Sequence, residues 1–318
     1  MTRRGLQMVP LLVVMSFILY GALTLMPGDP LYRMLRDIPN TTPDDYVRLR
    51  ALYGLDDPFW VRYVKWLWLF VQGQPGFSLQ YNRPVMELVG PRIVNTLLLS
   101  ASALVIGKTL AIVVGTCAAV RQYSIFDYVS MALAFVGYSI PGFWLGLMLI
   151  VVFAVQLQWL PAGGFADPRT PPGWWNELGD RLQHLILPVL VLTFSETTST
   201  ARYMRSSLLD VLGQDYLVTA RAKGLREQAI VIRHAMKNAL IPVVTTIATA
   251  IPRVVGGSAV IETVFGYPGM GKLLFDSIMA NDFTVVMVIL MILATIVVLL
   301  NLLADVIYGY LDPRIAYS

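Results

Sequence analysis

Residues 283–303 read FTVVMVILMILATIVVLLNLL, without one charged side chain. A transmembrane helix needs about 20 consecutive apolar residues, so this run alone predicts a membrane span. Five earlier runs predict further spans: residues 5–26; 92–121, interrupted by Lys108; 127–160, with a kink expected at Pro141 and Gly142; 182–201, with Pro188 and Glu196; and 239–261, with Arg253.

The composition of the whole chain also indicates a membrane protein. Of the 318 residues, 56% are hydrophobic and 14% are charged, and the mean hydropathy is +0.64. Soluble proteins carry about 25% charged residues, so this chain lacks the charge to cover a core in water. These figures exclude a cytosolic enzyme, a nucleic-acid-binding protein and a secreted domain. The single cysteine, Cys117, cannot form an intrachain disulfide.

The distribution of basic residues predicts the orientation. Arg3 and Arg4 precede a first span that is longer than a signal-peptide core, so we expect a retained anchor with a cytoplasmic N-terminus. Six spans return the C-terminus, with Arg314, to the same side. The loop between the fourth and fifth spans carries Arg205, Arg221, Lys223, Arg226, Arg233 and Lys237 against Asp210, Asp215 and Glu227. This excess explains much of the formal net charge of +4.

Residues 27–92 are expected to form a small helical segment outside the cell. Thr42 followed by Asp45 is a helix-capping pattern, Pro43 suits the first helical position, and Gly54 suits the end. A second helix is expected from Asp57-Pro58 to Gly73. Its apolar stripe comprises Phe59, Tyr63, Trp66, Leu67 and Phe70. These aromatic side chains suit either a membrane interface or a docking surface for a partner.

The loop between the fourth and fifth spans carries the strongest functional pattern. Residues 215–225 read DYLVTARAKGL, a short helix in which Ala220 and Gly224 would present a nearly bare strip to a partner. Gly224 would then permit a sharp turn. An amphipathic stretch follows, with Leu225, Ala229, Ile232, Met236 and Leu240 at helical spacing, and Arg226, Arg233 and Lys237 on another face. Docking in a partner's groove is one interpretation, and a basic anchor on the membrane surface is the other.

This loop resembles the cytoplasmic "EAA" loop of permease subunits in the dipeptide/oligopeptide/nickel family of binding-protein-dependent ABC importers. Val218-Thr219-Ala220 stands where the broad superfamily has Glu-Ala-Ala, and Met236-Lys237 where it has Leu-Pro. The resemblance covers nearly the whole chain. Its other blocks are Met26-Pro27-Gly28-Asp29-Pro30, Gly54-Leu55-Asp56 with Pro58, Gly137-Tyr138-Ser139-Ile140-Pro141, Asn238-Ala239-Leu240-Ile241-Pro242, Glu262-Thr263-Val264-Phe265 with Pro268-Gly269-Met270-Gly271, and Asp312-Pro313-Arg314-Ile315.

The resemblance implies an all-α polytopic membrane protein with six transmembrane helices and the type I ABC importer permease fold. Residues 1–26 would hold the cytoplasmic N-terminus and the first span, 27–92 the extracytoplasmic segment, 93–307 the transmembrane domain, and 308–318 a cytoplasmic tail. A coupling loop would occupy residues 205–238. The residues it implies for ATPase coupling are Asp215, Tyr216, Thr219, Ala220, Arg221, Ala222, Lys223, Gly224, Leu225, Arg233, His234 and Asn238.

The resemblance also implies the partners. A second homologous permease would complete a heterodimeric permease in the bacterial or archaeal plasma (inner) membrane, in contact with lipid. Two ATP-binding subunits would hold ATP and Mg, and an extracytoplasmic substrate-binding protein would deliver the solute. This chain has no phosphate-binding glycine–lysine loop, so we expect no catalytic residue, cofactor, metal or nucleic acid here. The implied substrates are di- and oligopeptides, with nickel complexes, glutathione or oligosaccharides as alternatives.

Two other classes of protein fit the sequence less well. A stand-alone secondary transporter would need inverted repeats, and no convincing internal repeat is visible. An intramembrane enzyme would need a catalytic or metal-binding motif, whereas the two histidines, His184 and His234, are far apart in sequence.

Three charged residues, Lys108, Glu196 and Arg253, fall inside predicted spans. A charge at the bilayer centre costs about 2.5–3.5 kcal/mol on insertion scales, so we expect these side chains to face the protein interior. In one interpretation, Lys108 or Arg253 pairs with Glu196 and locks spans together. In another, these side chains line the translocation path and contact a charged substrate. Lys108 would instead reach the interface if its span were shifted.

Overall fold

The computed structural model describes residues 2–25, 42–52 and 54–311, and these fold into helices and one short hairpin. In chain order the elements are α1 (Thr2–Thr24), α2 (Pro43–Leu52), α3 (Phe59–Val71), β1 (Phe77–Ser78), β2 (Arg83–Pro84), α4 (Val85–Val120), α5 (Ile125–Ser139), α6 (Gly142–Leu149), a π-helical segment (Ile150–Gln156), α7 (Trp174–Leu212), α8 (Asp215–Ala222), α9 (Glu227–Ala229), a second π-helical segment (Ile230–Ala235), α10 (Met236–Val264), α11 (Met270–Met279) and α12 (Phe283–Leu311). The two strands are antiparallel, with Phe77 opposite Pro84 and Ser78 opposite Arg83. The predicted blocks at 26–30 and 312–315 lie outside the described residues.

Four of the described helical segments are long and apolar enough to cross a membrane. They are Gln7–Thr24, Val85–Val120, Glu227–Ile247 and Phe283–Ala304. The helices Ile125–Ser139 and Gly142–Gln156 add a fifth if they form one span, and they meet at 105° where the sequence predicts a kink. Proline at 141 explains the bend, because it lacks the N–H that would continue the helix. The all-helical polytopic prediction is therefore confirmed.

The predicted fourth span lies within α7, a helix of 39 residues. It falls outside the apolar group because residues 195–200 read SETTST and lower its mean hydropathy. Several of its polar side chains face the protein interior, since Thr193, Thr198 and Thr200 are buried. The count of six spans thus remains a prediction that depends on how this polar, interior helix is placed.

The described chain divides into two compact units. One comprises residues 1–96 and 268–299, and the other comprises 97–267 and 300–318. In the first unit, apolar side chains of α4, α11 and α12 form one core: Val85, Val89, Met270, Leu273, Val285, Val288 and Ile289. Buried Asp282 fixes the hairpin to the start of α12, because its carboxylate accepts bonds from the Ser78 hydroxyl (2.5 Å) and the Val285 N–H (3.3 Å).

The two predicted helices before the hairpin are present with the predicted ends. Thr42 and Asp45 cap α2 reciprocally: the Thr42 N–H donates to Asp45 Oδ2 at 3.0 Å, and the Asp45 N–H donates to Thr42 Oγ1 at 3.3 Å. Gly54 and Gly73 follow α2 and α3 with φ values of +63° and +76°. Glycine suits these positions because the left-handed region costs other residues energy.

The second unit contains two apolar cores along α7. One lies toward its C-terminal half and joins α4, α7, α8 and α10 through Ala119, Met204, Leu208, Leu217, Ala220, Ile230, Val231, Ala235, Ala239 and Val243. The other joins α4, the N-terminal half of α7 and the end of α10 through Leu99, Leu185, Leu187, Val191, Ile261, Phe265 and Tyr267. The central helix α7 therefore contributes to both cores. Glu196, which pairs with Lys108, lies on α7 between the residues of the two cores.

Candidate functional site

The predicted short helix and sharp turn are both present in the second unit. α8 covers Asp215–Ala222, and Gly224 follows with φ +77°. The Gly224 N–H donates to the Arg221 carbonyl at 2.9 Å, and the Leu225 N–H donates to the Ala220 carbonyl at 3.4 Å. These two bonds are those of a Schellman cap, which ends a helix and reverses the chain. The turn requires a residue with a left-handed backbone conformation, which explains why glycine is found at position 224.

Two side-chain links hold α8 against the helix that follows the turn. The Arg221 guanidinium donates to both carboxylate oxygens of Glu227, at 2.9 and 3.3 Å. The Asn238 amide donates to the Tyr216 hydroxyl at 2.8 Å, so α10 also holds the start of α8. The hydrogen bonds with Glu227 raise the pKa of Arg221, which keeps its charge. The sequence identified these four residues as loop residues but did not indicate that they pair.

One face of α8 is buried in the protein's own core. Leu217 is fully buried and Ala220 is 9% exposed, and both pack in the cluster with Met204 and Leu208 of α7. The prediction that Ala220 and Gly224 form a strip facing a partner is therefore wrong for Ala220. Its small side chain instead lets α8 approach α7 and α10. The exposed face of α8 includes Val218, Thr219 and Ala222, and the adjoining Lys223, Gly224 and Leu225 are also exposed.

The predicted apolar stripe after the turn is also wrong in part. Ile232 is 66% exposed and Leu225 is exposed, while Ile230, Val231 and Ala235 are buried. Ile232 lies in the π-helical segment Ile230–Ala235, where an i→i+5 hydrogen-bond pattern shifts the side-chain register relative to an α-helix, and Leu225 lies in the turn before α9 begins. The three basic residues predicted for the other face, Arg226, Arg233 and Lys237, are all exposed, and so is His234.

Arg205, counted among the bases of the loop, lies instead within α7 and binds Asp127 of α5. Its Nε and one terminal nitrogen lie 2.6 and 2.7 Å from the two carboxylate oxygens. Asp127 also accepts the Tyr123 N–H at 3.0 Å, and its own N–H donates to the capping hydroxyl of Ser124. The Ser-x-x-Asp pattern at 124–127 indicates a helix start, but no local pattern indicates the partner in α7.

The charged residues of the second and fourth predicted spans lie together. Lys108 Nζ is 2.5 Å from Glu196 Oε2 and donates to Thr200 Oγ1 at 2.7 Å. Lys108 is buried, and the Glu196 side chain keeps 19% of its surface exposed. The pair joins α4 to α7, and Thr200 adds a hydrogen bond to the lysine. Arg253 lies in α10, and its side chain lies outside the described residues.

The α4–α7 contact is close along its length because two glycines of α4 face α7. A Cβ on Gly107 would lie 3.1 Å from the Thr193 carbonyl oxygen, and one on Gly115 would lie 2.6 Å from the Ala201 carbonyl oxygen. The Thr197 hydroxyl donates to the Gly107 carbonyl at 3.1 Å as well as to Thr193 in its own helix. Small residues and hydroxyl groups of this kind allow two helices to pack tightly without an apolar driving force.

Among the described residues, no group of three or more His, Cys, Asp or Glu side chains is arranged to hold a metal ion. The site contains a helix–turn–helix loop with one exposed face, which packs on α7 and α10, and a polar contact between α4 and α7.

Comparison with known proteins places this geometry in context. Residues 111–317 match the profile of the family described as the binding-protein-dependent transport system inner membrane component. The oligopeptide transport system permease protein AppB of Bacillus subtilis (strain 168) is 41% identical over 316 residues, covering 99% of this chain and 98% of AppB. The dipeptide transport system permease protein DppB of Escherichia coli (strain K12) is 36% identical over 333 residues, covering 99% and 98%.

Two solved structures share the fold. An inward-facing structure of the MetNI methionine ABC transporter matches with a TM-score of 0.57 and 21% identity, covering 71% of this chain and 97% of the matched chain. An amino acid ABC transporter with histidines matches with a TM-score of 0.53 and 14% identity, covering 71% and 94%. At these identities the likeness concerns the fold alone.

Proposed function

Because the chain belongs to the family of binding-protein-dependent transport system inner membrane components, we propose that it forms part of the path by which an ATP-driven importer passes di- and oligopeptides into the cytoplasm. The chain is the transmembrane component and not a catalytic one, and the ATPase is a separate subunit. The names of its oligopeptide and dipeptide permease relatives support the peptide substrate.

Membership of this family implies an ATPase and a binding protein as partners. In our proposal, two ATP-binding subunits and a second homologous permease complete the assembly, and the extracytoplasmic binding protein delivers the peptide. The chain is a multi-pass inner membrane protein, and we place both termini in the cytoplasm because Arg3 and Arg4 precede the first span and the 205–238 loop is basic.

The loop at 205–238 serves as the contact with the ATPase in this proposal. The observation that carries it is the two-sidedness of α8. Leu217 and Ala220 fix one face to α7 and α10, while Val218, Thr219 and Lys223 leave the other face exposed. The Arg221–Glu227 link joins α8 to α9, and the Tyr216–Asn238 link joins α8 to α10. A displacement of α8 by the ATPase would therefore reach α7 and α10, which contain the fourth and fifth predicted spans.

The Lys108–Glu196 pair serves in the proposal as a lock between α4 and α7. A lysine with a carboxylate at 2.5 Å and a hydroxyl at 2.7 Å has partners for its charge inside the protein, and this arrangement favours the structural interpretation over direct contact with a peptide. Arg253 remains the candidate for a side chain that lines the path.

The test of coupling uses Gly224 with a matched glycine elsewhere in the same loop. Gly224 has φ +77°, and an added Cβ would meet no neighbouring atom within 4 Å, so a substitution strains the turn without a clash. A left-handed conformation costs an ordinary residue about 1–2 kcal/mol, and asparagine tolerates it better. The control is Gly213, which has φ −82° and a nearest neighbour at 3.8 Å.

The measurement is peptide uptake per ATP hydrolysed by the complete transporter in proteoliposomes. We expect Gly224→Val to hydrolyse ATP but lose most uptake, Gly224→Asn to keep most uptake, and Gly213→Ala to behave as the wild type. Copurification of the ATPase with each variant separates a loss of coupling from a loss of docking. Normal uptake in Gly224→Val would contradict the proposed role of the turn.

The substrate is tested separately, by uptake competition. A labelled dipeptide or tripeptide, presented with the cognate binding protein, should enter the proteoliposomes in an ATP-dependent manner. Excess unlabelled peptide should abolish this signal, whereas a nickel complex, glutathione or an oligosaccharide should leave it unchanged. Uptake of one of those three solutes in place of peptide would overturn the peptide assignment and leave the permease assignment intact.

A further inference from the structure

Helix α3 packs against the first span through an aromatic cluster. Phe17 and Tyr20 of α1 contact Phe59 and Tyr63 of α3 edge to face, with ring centroids 5.3–5.7 Å apart. Trp66 also contacts Tyr20, at 5.8 Å. Aromatic pairs in such geometry contribute stability beyond the area they bury. The predicted apolar stripe of α3 is thus the side that packs against α1.

The contact lies level with the middle of the apolar run of α1. The Tyr63 hydroxyl bonds the buried Ser16 hydroxyl at 2.8 Å and donates to the Val13 carbonyl at 3.2 Å. The apolar run extends over Gln7–Thr24, so Val13 and Ser16 lie near its centre. If α1 spans the membrane, the part of α3 that carries Tyr63 lies inside the membrane as well.

A second apolar stripe of α3 is left uncovered by the chain. Trp60, Val64, Trp68 and Val71 are 61–73% exposed, and their spacing of four, four and three residues puts them on one face. Lys65, which donates to Asp57 at 2.7 Å, is exposed beside this stripe, one turn from Val61 (40% exposed) and one turn from Leu69 (43% exposed). The helix therefore has one apolar face against α1 and a largely apolar exposed surface with Lys65 at its edge.

The uncovered stripe is continuous with the surface of α1 that faces outward. Trp60 contacts Phe59 at 5.5 Å, Phe59 contacts Phe17 at 5.5 Å, and Phe17 is exposed on α1 beside exposed Val14 and Ile18. The uncovered stripe of α3 and the exposed surface of α1 therefore contact the same medium. Since α1 is apolar enough to span a bilayer, those surroundings are lipid.

We propose that α3 is embedded in one leaflet of the membrane beside α1, with its face of Trp60, Val64, Trp68 and Val71 in contact with lipid and Lys65 directed to the head groups and water. The 13 residues of α3 extend about 20 Å, which is shorter than the hydrocarbon core of about 30 Å, so α3 does not cross the bilayer. Tryptophan concentrates near the membrane–water interface, and a lysine at the edge of such a helix can extend its charge into water.

The test attaches an environment-sensitive fluorophore to single cysteines on α3. Exposed Cys117 is first replaced by serine. Val64→Cys and Val71→Cys then report the apolar stripe, and Lys65→Cys reports the position of the lysine on the same helix. Each labelled chain is assembled with its ATPase, second permease and binding protein in nanodiscs of phosphatidylcholine and phosphatidylglycerol. Quenching is measured with doxyl-labelled phospholipid and, separately, with iodide.

We expect the labels at 64 and 71 to be blue-shifted and quenched several-fold more strongly by doxyl lipid than by iodide, with the opposite order at 65. Strong iodide quenching at 64 and 71 would show water at this face and overturn the proposal. Weak quenching by both agents at 64 and 71 would show a protein partner covering the face, and it would overturn the proposal as well. All three sites are exposed, so labelling leaves the packing of α3 on α1 intact.

Discussion

The side chains of Asp127 and Arg205 form a two-point ion pair that joins α5 to α7 across 78 residues of sequence, with nitrogen–oxygen distances of 2.6 and 2.7 Å. The parallel geometry of guanidinium and carboxylate adds direction to the attraction of the charges. Because Asp127 stands in the first turn of α5 and Arg205 near the C-terminal end of α7, the pair sets the position of α5 beside the helix that carries α8.

Removing one member of this pair should destabilise the protein more than removing a surface pair. We expect Asp127→Ala to lower the free energy of unfolding by about 2–3 kcal/mol, below the roughly 3–5 kcal/mol typical of fully buried pairs, because the Arg205 side chain keeps 23% of its surface exposed. Glu227→Gln breaks the exposed pair with Arg221 and should cost less than about 1 kcal/mol. Thermal unfolding in detergent compares the two, and equal losses would contradict the argument from burial.

Reversal of the Lys108–Glu196 pair tests its role as a lock. Lys108→Glu and Glu196→Lys should each reduce accumulation of the assembled transporter, because each places two like charges at the distance now occupied by the pair. The double reversal should restore assembly, and the Thr200 hydroxyl can then donate to the new carboxylate at position 108. The readout is copurification of the ATPase with the chain. If the double variant copurifies no more ATPase than the single variants do, the pairing interpretation is wrong.

Methyl groups added at two helical glycines should have opposite effects. A Cβ on Gly115 of α4 would lie 2.6 Å from the Ala201 carbonyl oxygen and 2.7 Å from Met204 Cβ, so Gly115→Ala must push α4 and α7 apart at a cost of about 1–3 kcal/mol. A Cβ on Gly179, within α7, would meet nothing within 4 Å, and Gly179→Ala should stabilise by about 0.5–1 kcal/mol. Melting temperatures measure both, and a fall for Gly179→Ala equal to that for Gly115→Ala would contradict the close approach.

Acidification should loosen the start of α2. Hydrogen bonds from the Thr42 hydroxyl and N–H lower the pKa of Asp45. A carboxyl whose folded pKa is lowered stabilises the fold fully above its unfolded pKa, and this contribution is lost as the pH falls through the folded pKa. Hydrogen exchange of residues 43–48, corrected for the intrinsic pH dependence, should therefore show less protection in acid. Asp45→Asn is the control, and it should remove this pH dependence; its persistence in that variant would assign it to another group.

Local features were predictable because their causes lie within a few residues. The Thr42–Asp45 cap, the turn at Gly73, the bend at Pro141 and the cap at Gly224 each depend on hydrogen bonds or backbone preferences inside one turn of chain. The apolar runs likewise predict membrane helices, because a helix that spans a bilayer needs only a long stretch of mostly apolar side chains. The prediction failed where an apolar face was read from ideal helical spacing, since the π-helical segment at 230–235 moves Ile232 to the surface.

The sequence by itself determined the membrane class, several helix ends and the short helix with its turn at 215–225, since all of these follow from composition and short-range pattern. Only the tertiary structure decided that Ala220 faces inward, that Arg205 reaches Asp127, and that Lys108 binds both Glu196 and a hydroxyl 92 residues away. Such pairings depend on how helices that are distant in sequence pack together. The residues next to a charged or small side chain in the sequence do not indicate which distant helix it will contact.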